Sequence, residues 1–169
     1  MTGLPLMREA RPMPHIARRD ALRAELEATR IAFAALVESL SGAAWRETSP
    51  SSDWTFCEVL VHLTWALEYL PQEIESARKG RGMFNMPKWL ADPLSYWYIR
   101  WLARTATAGA IHRRYDAAIN ATLRLLDTVP ETEWSLGADF YGEGFHSIDD
   151  LFHAPAKHLA EHTAGWPQR

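Results

Sequence analysis

The residues with the most chemistry to offer lie late in the chain, in His153-Ala-Pro-Ala-Lys-His158-Leu-Ala-Glu161-His162. Three of the seven histidines fall in this stretch. His158 and His162 are four apart, so on a helix they stack on one face, a turn apart. Two imidazoles in that relation chelate a metal that favours nitrogen. A four-coordinate ion needs at least one further protein ligand, which must come from elsewhere in the chain. The candidate is His62. A divalent ion held by three imidazoles with one side open lowers the pKa of a water or thiol and presents it as hydroxide or thiolate at neutral pH.

The elements that must position these groups are helical. Residues 1 to 15 carry Pro5, Pro12 and Pro14 without a period and read as an irregular lead-in to a single domain over 16–169. Leu22, Leu26, Thr29, Phe33, Leu36 and Leu40 recur at three and four, predicting a first helix over about 19–41 with Gly42 as its stop. Thr55 and Glu58 have the spacing of a capping box, and Phe56, Leu60, Leu63, Leu67, Leu70 and Ile74 follow as an apolar stripe. They predict a second helix over about 55–79, with a kink near Leu70 because Pro71 removes a backbone donor. The segment 80–105 is too long for a hairpin between neighbouring helices. It predicts a long crossover, with a short helix at 93–103 in the aromatic run Tyr96-Trp97-Tyr98-Ile99-Arg100-Trp101.

A third bundle helix is predicted over about 106–128 from Ile111, Tyr115, Ala118, Thr122 and Leu125, a stripe that Thr122 weakens. The glycine-rich segment 132–144 reads as loop with a short extended piece at Phe140 and Tyr141. Ser147 and Asp150 mark a new helix start, and the fourth bundle helix is predicted over about 148–165. Pro155 either bends it or opens a fresh helix there. The fold class is all-α, a four-helix bundle with a long crossover between its second and third helices.

Helix angles refine the site. At about 100° per residue, Thr55, Glu58, His62, Trp65 and Tyr69 share a face, and the leucine stripe is centred about 120° from His62. His62, His158 and His162 all border apolar stripes, so two helices packed by those stripes could bring the three rings together at one edge of the bundle. A lone histidine on a helix edge is also commonly a packed or solvated residue. Trp65 and Tyr69 are candidates for a pocket wall, against ordinary core packing. Glu161 is a candidate base beside the late pair, against an exposed acid. Glu73 reads as a solvated charge, Cys57 as a small buried residue, and His112 with Asp116 as a surface pair. His153, about 140° from His158 on a helix, is not expected to be a ligand.

Composition narrows the classes. A formal net charge of −3 provides no basic footprint for nucleic acid, and no apolar run of about 18 residues predicts a membrane span. The single cysteine excludes an internal disulfide and fits a reducing cytoplasm. No phosphate-cradling glycine loop and no Gly-x-Ser-x-Gly elbow is present, and the lone Glu143-x-x-His146 is insufficient for a di-iron bundle. His158-x-x-Glu161-His162 matches the inverted zinc-protease pattern, a weak argument for hydrolysis.

The leucine repeat of the first helix, then Asp53-Trp54-Thr55-Phe56-Cys57-Glu58 leading to His62-Leu63, then the late His158-x-x-x-His162, resembles the DinB-like family of helical bundles. That family is related to the N-terminal domain of mycothiol-dependent maleylpyruvate isomerases. The resemblance covers about 19–166. It implies His62, His158 and His162 as ligands of a divalent metal, zinc or nickel first, with iron or manganese as further options. It also implies thiol-linked transfer or isomerisation of a small-molecule substrate with a low-molecular-weight thiol such as bacillithiol or mycothiol, and a homodimer. The second domain of those isomerases is not expected, since the sequence stops soon after His162. Metal-assisted hydrolysis is the nearest variant. The rival class is a non-catalytic metal- or ligand-binding bundle, possible as a stress-associated protein, for which a fourth protein ligand such as Glu73 or Asp116 would speak.

Overall fold

The computed structural model describes residues 15–40 and 42–166. Five α-helices dominate: α1 (His15–Ser39), α2 (Phe56–Ala77), α3 (Lys88–Ala103), α4 (Ala108–Leu126) and α5 (Ile148–His162). Short 3-10 turns at Gly42–Arg46 and Glu131–Glu133 and a small hairpin complete the chain, so the fold is all-α with little strand. Residues 1–14 of the expected lead-in lie outside the described residues, and His15 already opens α1.

Helices α1 and α2 each pack on both α4 and α5, while α3 packs on α2. The apolar stripes meet in one core, in which Leu22, Leu26, Phe33, Leu60, Ile74, Ile111, Ile119, Leu126 and Phe152 are fully buried. Phe33 and Tyr115 stack at a centroid distance of 3.6 Å across α1 and α4. Thr122 is also buried, and its hydroxyl donates to the Ala118 carbonyl at 3.0 Å. That bond is why a polar residue sits in the α4 stripe without an orphaned hydroxyl.

Both predicted caps form. Thr55 Oγ1 accepts from the Glu58 N–H at 3.3 Å, and the Glu58 carboxylate accepts from the Thr55 N–H at 2.8 Å. Ser147 and Asp150 repeat the arrangement at the start of α5. Neither interior proline ends its helix, as the predicted span over 55–79 requires and as the first of the two alternatives at Pro155 has it. Helix α2 continues through Pro71, and α5 is one helix through the buried Pro155. Each proline forfeits one backbone bond, and the buried neighbours Leu70, Ile74, Leu151 and Leu159 pack these turns into the core.

The crossover helix is longer than the expected 93–103. It starts five residues earlier, at Lys88, with Pro93 inside it. Pro93 is the sixth residue of the helix and forfeits the bond to the Trp89 carbonyl, but the helix has already begun before it, with the Leu90 and Ala91 N–H groups donating to the Pro87 carbonyl. The segment 132–144 is the other correction. The extended residues are not Phe140 and Tyr141 but β1 (Gly137–Asp139) and β2 (Phe145–Ser147), antiparallel with Ala138 opposite His146. Phe140 and Tyr141 belong to the connection between the strands. Strands of three residues are too short for an alternating pattern to register.

Candidate metal centre

Three elements converge on the histidines. Helix α2 carries His62, two turns after its cap, and α5 carries His158 and His162 on the face turned toward α2. The loop before α2 closes the third side because it is tied to the far end of α5. There the Ser51 hydroxyl donates to the His162 carbonyl, and the Trp166 indole donates to Ser49 Oγ at 3.0 Å. This anchoring lays Trp54 over the cluster. Its ring centroid lies 4.8 Å from that of His62 and 6.3 Å from that of His162.

The imidazoles face one another. His62 Nε2 and His158 Nε2 are 3.0 Å apart. The ring centroids lie 4.8 Å (His62 to His158), 4.9 Å (His62 to His162) and 4.7 Å (His158 to His162) apart. One nitrogen from each ring falls in a group whose members are all within 4.8 Å of one another. Imidazole–zinc bonds of about 2.0–2.1 Å put two nitrogens of a tetrahedral site roughly 3.3 Å apart, so the donor set fits one ion with small side-chain adjustments.

The electrostatics favour lone pairs over protons. Burial, then the nearby His158 and His162, push the pKa of His62 from 6.5 down to about 3. Burial and His162 lower that of His158 to about 4, and burial also lowers His162. All three rings are therefore neutral at pH 7, the form a metal requires. His62 Nδ1 and the indole nitrogens of Trp54 and Trp65 are buried with no hydrogen-bond partner. Buried polar atoms are ordinarily paired, and His62 Nδ1 and Trp54 Nε1 are two that the fold leaves open at the cluster.

Helix α3 backs the tryptophan wall. Tyr96 stacks on Trp54 with centroids 6.2 Å apart. Arg100 donates to the Tyr96 hydroxyl at 2.7 Å and pairs with Glu58 at 3.2 Å. The capping glutamate of α2 thus also fixes the outer wall of the site.

The other sequence candidates fall as follows. Trp65 and Tyr69 lie further along the same face of α2 and contact each other and Phe84, not the histidine rings. Glu161 is exposed and lies 3.9 Å from Lys157. Glu73 is not a solvated charge. It is buried, and the Tyr141 hydroxyl donates to it. Burial raises its pKa to about 7, although the bond from Tyr141 acts in the opposite direction. The reason is tertiary: the crossover loop and the hairpin fold over this face of α2. A side chain at Gly82 would collide with the Asp139 carbonyl, and the Asn85 amide bridges Asp139 and Gly142. Cys57 is buried as expected, and burial pushes its thiol up to about 11. His112 pairs with Asp116 at 3.6 Å and His153 with Glu25 at 2.8 Å, both away from the cluster. Among the described residues no fourth His, Cys, Asp or Glu joins the three-histidine group.

Sequence reasoning missed Trp54 and Tyr96 as walls. The available signal was Trp54's place directly before the α2 cap, from which a large ring folds back over the first turns of the helix. Glu143, in the hairpin, was missed as well. Its charge acts on His158, raising that pKa against the larger effect of burial.

Residues 26–144 match the family model of the mycothiol maleylpyruvate isomerase N-terminal domain. The chain belongs to this DinB-like family. The matched span contains His62 but ends before α5, so the late pair His158 and His162 rests on the geometry above. No curated protein and no solved structure matches the chain. Among the described residues no helix is long and apolar enough to cross a membrane.

Proposed function

We propose that the chain is a divalent-metal-dependent enzyme with His62, His158 and His162 as the protein ligands. In this reading α1, α2, α4 and α5 form a four-helix bundle with α3 in its crossover. The observation that carries the proposal is the set of three neutral imidazole nitrogens, all within 4.8 Å of one another, with no fourth candidate ligand among the described residues. A lone surface histidine pair would not combine burial, mutual approach and depressed pKa values. Glu73 and Asp116, the conceivable fourth ligands, have partners elsewhere in Tyr141 and His112.

When bound, the ion supplies a Lewis-acid centre that lowers the pKa of a thiol or water in its open position. The chain's own residues do the rest. The three rings hold their lone pairs ready at neutral pH. Trp54, braced by Tyr96, excludes bulk water from one side. Glu143 acts on His158 through its charge, opposing the effect of burial on that ring. The family name supports a low-molecular-weight thiol, mycothiol or a relative, as co-substrate. The reaction class is thiol-dependent transfer or isomerisation of a small molecule, with metal-assisted hydrolysis as the variant. Such a thiol, together with a single buried cysteine, fits the reducing cytoplasm.

Elemental analysis of untagged protein, purified after zinc, nickel, iron or manganese supplementation, tests the reading. About one divalent ion per chain is expected, and none in His158→Ala with His162→Ala. A wild type that takes up no ion under any supplementation ends the proposal. A thiol panel assayed on the loaded protein then separates transferase from hydrolase.

A further inference from the structure

Of the three histidines, His162 depends most on something outside its own helix. His62 and His158 lie inside α2 and α5, and their Nε2 atoms already face each other at 3.0 Å. His162 is the last residue of α5. Its carbonyl is among the four that a helix leaves without an intrahelical donor, and helix ends of this kind fray unless something beyond the helix holds them. Here Ser51 supplies the missing donor, from the loop ahead of α2.

The Ser51 hydroxyl does not act alone. Ser49 Oγ and Ser51 Oγ are 2.8 Å apart, and the Trp166 indole donates to both, at 3.0 and 3.3 Å. A hydroxyl has one hydrogen to give. Ser51 gives its own to the His162 carbonyl, so Ser49 must donate to Ser51. The relay therefore runs one way, from the Trp166 N–H through Ser49 and Ser51 to His162, and aligned hydrogen bonds strengthen one another. Its head is well fixed. Gly165, at φ +79°, turns the chain back after α5, and the Trp166 ring packs edge-on against Phe56 at a centroid distance of 4.6 Å. Trp166 and Ser49 are both buried. The Ser49 N–H also donates to the Trp54 carbonyl at 2.8 Å, so the same loop holds the residue that lies over His62.

We propose that Trp166, Ser49 and Ser51 form a strap that positions His162, turning a preformed two-imidazole site into a three-imidazole one. The proposal rests on the three-histidine reading above. None of the three strap residues is a ligand; all are positioning residues. Metal affinity, and the number of nitrogens around the ion, then depend on an indole N–H that reaches the third ligand only through two hydroxyls.

Zinc affinity by chelator competition, and the visible spectrum of the cobalt(II)-loaded full chain, test this. Trp166→Phe keeps a ring against Phe56 and removes the donor; Ser51→Ala removes the last link. Each should weaken zinc binding about 10–100-fold, the usual effect of losing a group that orients a ligand. Each should also shift the cobalt spectrum toward that of His162→Ala, because band position and intensity follow ligand number and geometry. Ser51→Thr, which retains the hydroxyl, should bind as the wild type does. If Trp166→Phe does not fold, judged by far-UV circular dichroism, Ser51→Ala and Ser51→Thr decide. Wild-type affinity and spectrum in the folded Trp166→Phe and Ser51→Ala variants overturn the strap and leave the three-histidine site standing. Ser51→Thr as weak as Ser51→Ala also overturns it, since the hydroxyl is then not what matters. A wild type that binds neither zinc nor cobalt overturns both readings.

Discussion

Helix α2 carries two polar intrusions on one face, and they are finished in opposite ways. At the Glu73 end the chain supplies the partner itself: Tyr141 reaches over from the hairpin connection and donates to the buried carboxyl. Phe84, at φ +58°, stacks on Tyr141, also at φ +58°, with ring planes 2° apart. Two non-glycine residues in the left-handed region are held there by the bridge that Asn85 makes between Asp139 and Gly142. At the His62 end nothing comparable closes the account. Three imidazoles turn toward one another, and His62 Nδ1 and Trp54 Nε1 have no partner. A polar group the fold completes is structural. A cluster of imidazoles that no other carboxylate or thiol of the described residues joins is the candidate for a guest.

The strongest way to break this contrast is to remove a ligand. His62→Ala should reduce metal content from about one ion per chain to under ~0.1. It should also abolish the stabilisation by added metal, about 4 kcal/mol at a free-ion concentration roughly 1,000 times Kd. Thermal unfolding with and without the ion measures this, and an unchanged metal-induced shift in the variant would refute the ligand assignment.

Acid separates the two ends next, because their slopes have opposite signs. His62 and His158 titrate at about 3 and 4 in the fold against 6.5 for the free side chain. Between pH 6.5 and 4 the unfolded chain takes up protons that the folded rings refuse. The metal-free protein should therefore lose stability as pH falls through that window, on the order of 3 kcal/mol from each ring, partly offset by Glu73. Urea unfolding at pH 7 and pH 4.5 should show the loss, smaller in His62→Ala. An equal loss in the two proteins would mean that the rings are not the source.

Glu73 runs the other way. Its carboxyl is raised from 4.5 to about 7, so its contribution is present at low pH and is lost as pH rises through 7. Glu73→Gln keeps a hydrogen-bond acceptor for Tyr141 without the buried charge. It should be more stable than the wild type at pH 8 by on the order of 2 kcal/mol, and close to it at pH 5. A variant less stable at pH 8 would show that the carboxylate is held by charge not identified in this site. The smallest effect is expected away from both ends: His112→Ala on α4 should change stability by less than ~0.5 kcal/mol and leave metal content alone.

Much of this contrast is visible before folding on the histidine side and almost none of it on the glutamate side. The i, i+4 pair on α5 and the placement of His62 two turns after a capping box follow from helical period, which is a local property. The burial of Glu73 does not. Its own helix places it on the His62 face, and only the 80–87 loop and the hairpin, elements remote in sequence, take it out of water. Trp54 is similar. Its position before the cap is legible, but its stacking over His62 depends on Ser49 and Ser51 reaching α5 and Trp166.

What the amino-acid order determined by itself is therefore the helices, their caps and the face each histidine occupies, because 3.6-residue periodicity and capping chemistry act over a few neighbouring residues. Only the tertiary structure decided that the three rings meet, that Trp54 and Tyr96 wall them, and that Glu73 is buried under a tyrosine. Those outcomes depend on which distant segment covers each face, and a helix's own period carries no information about its cover.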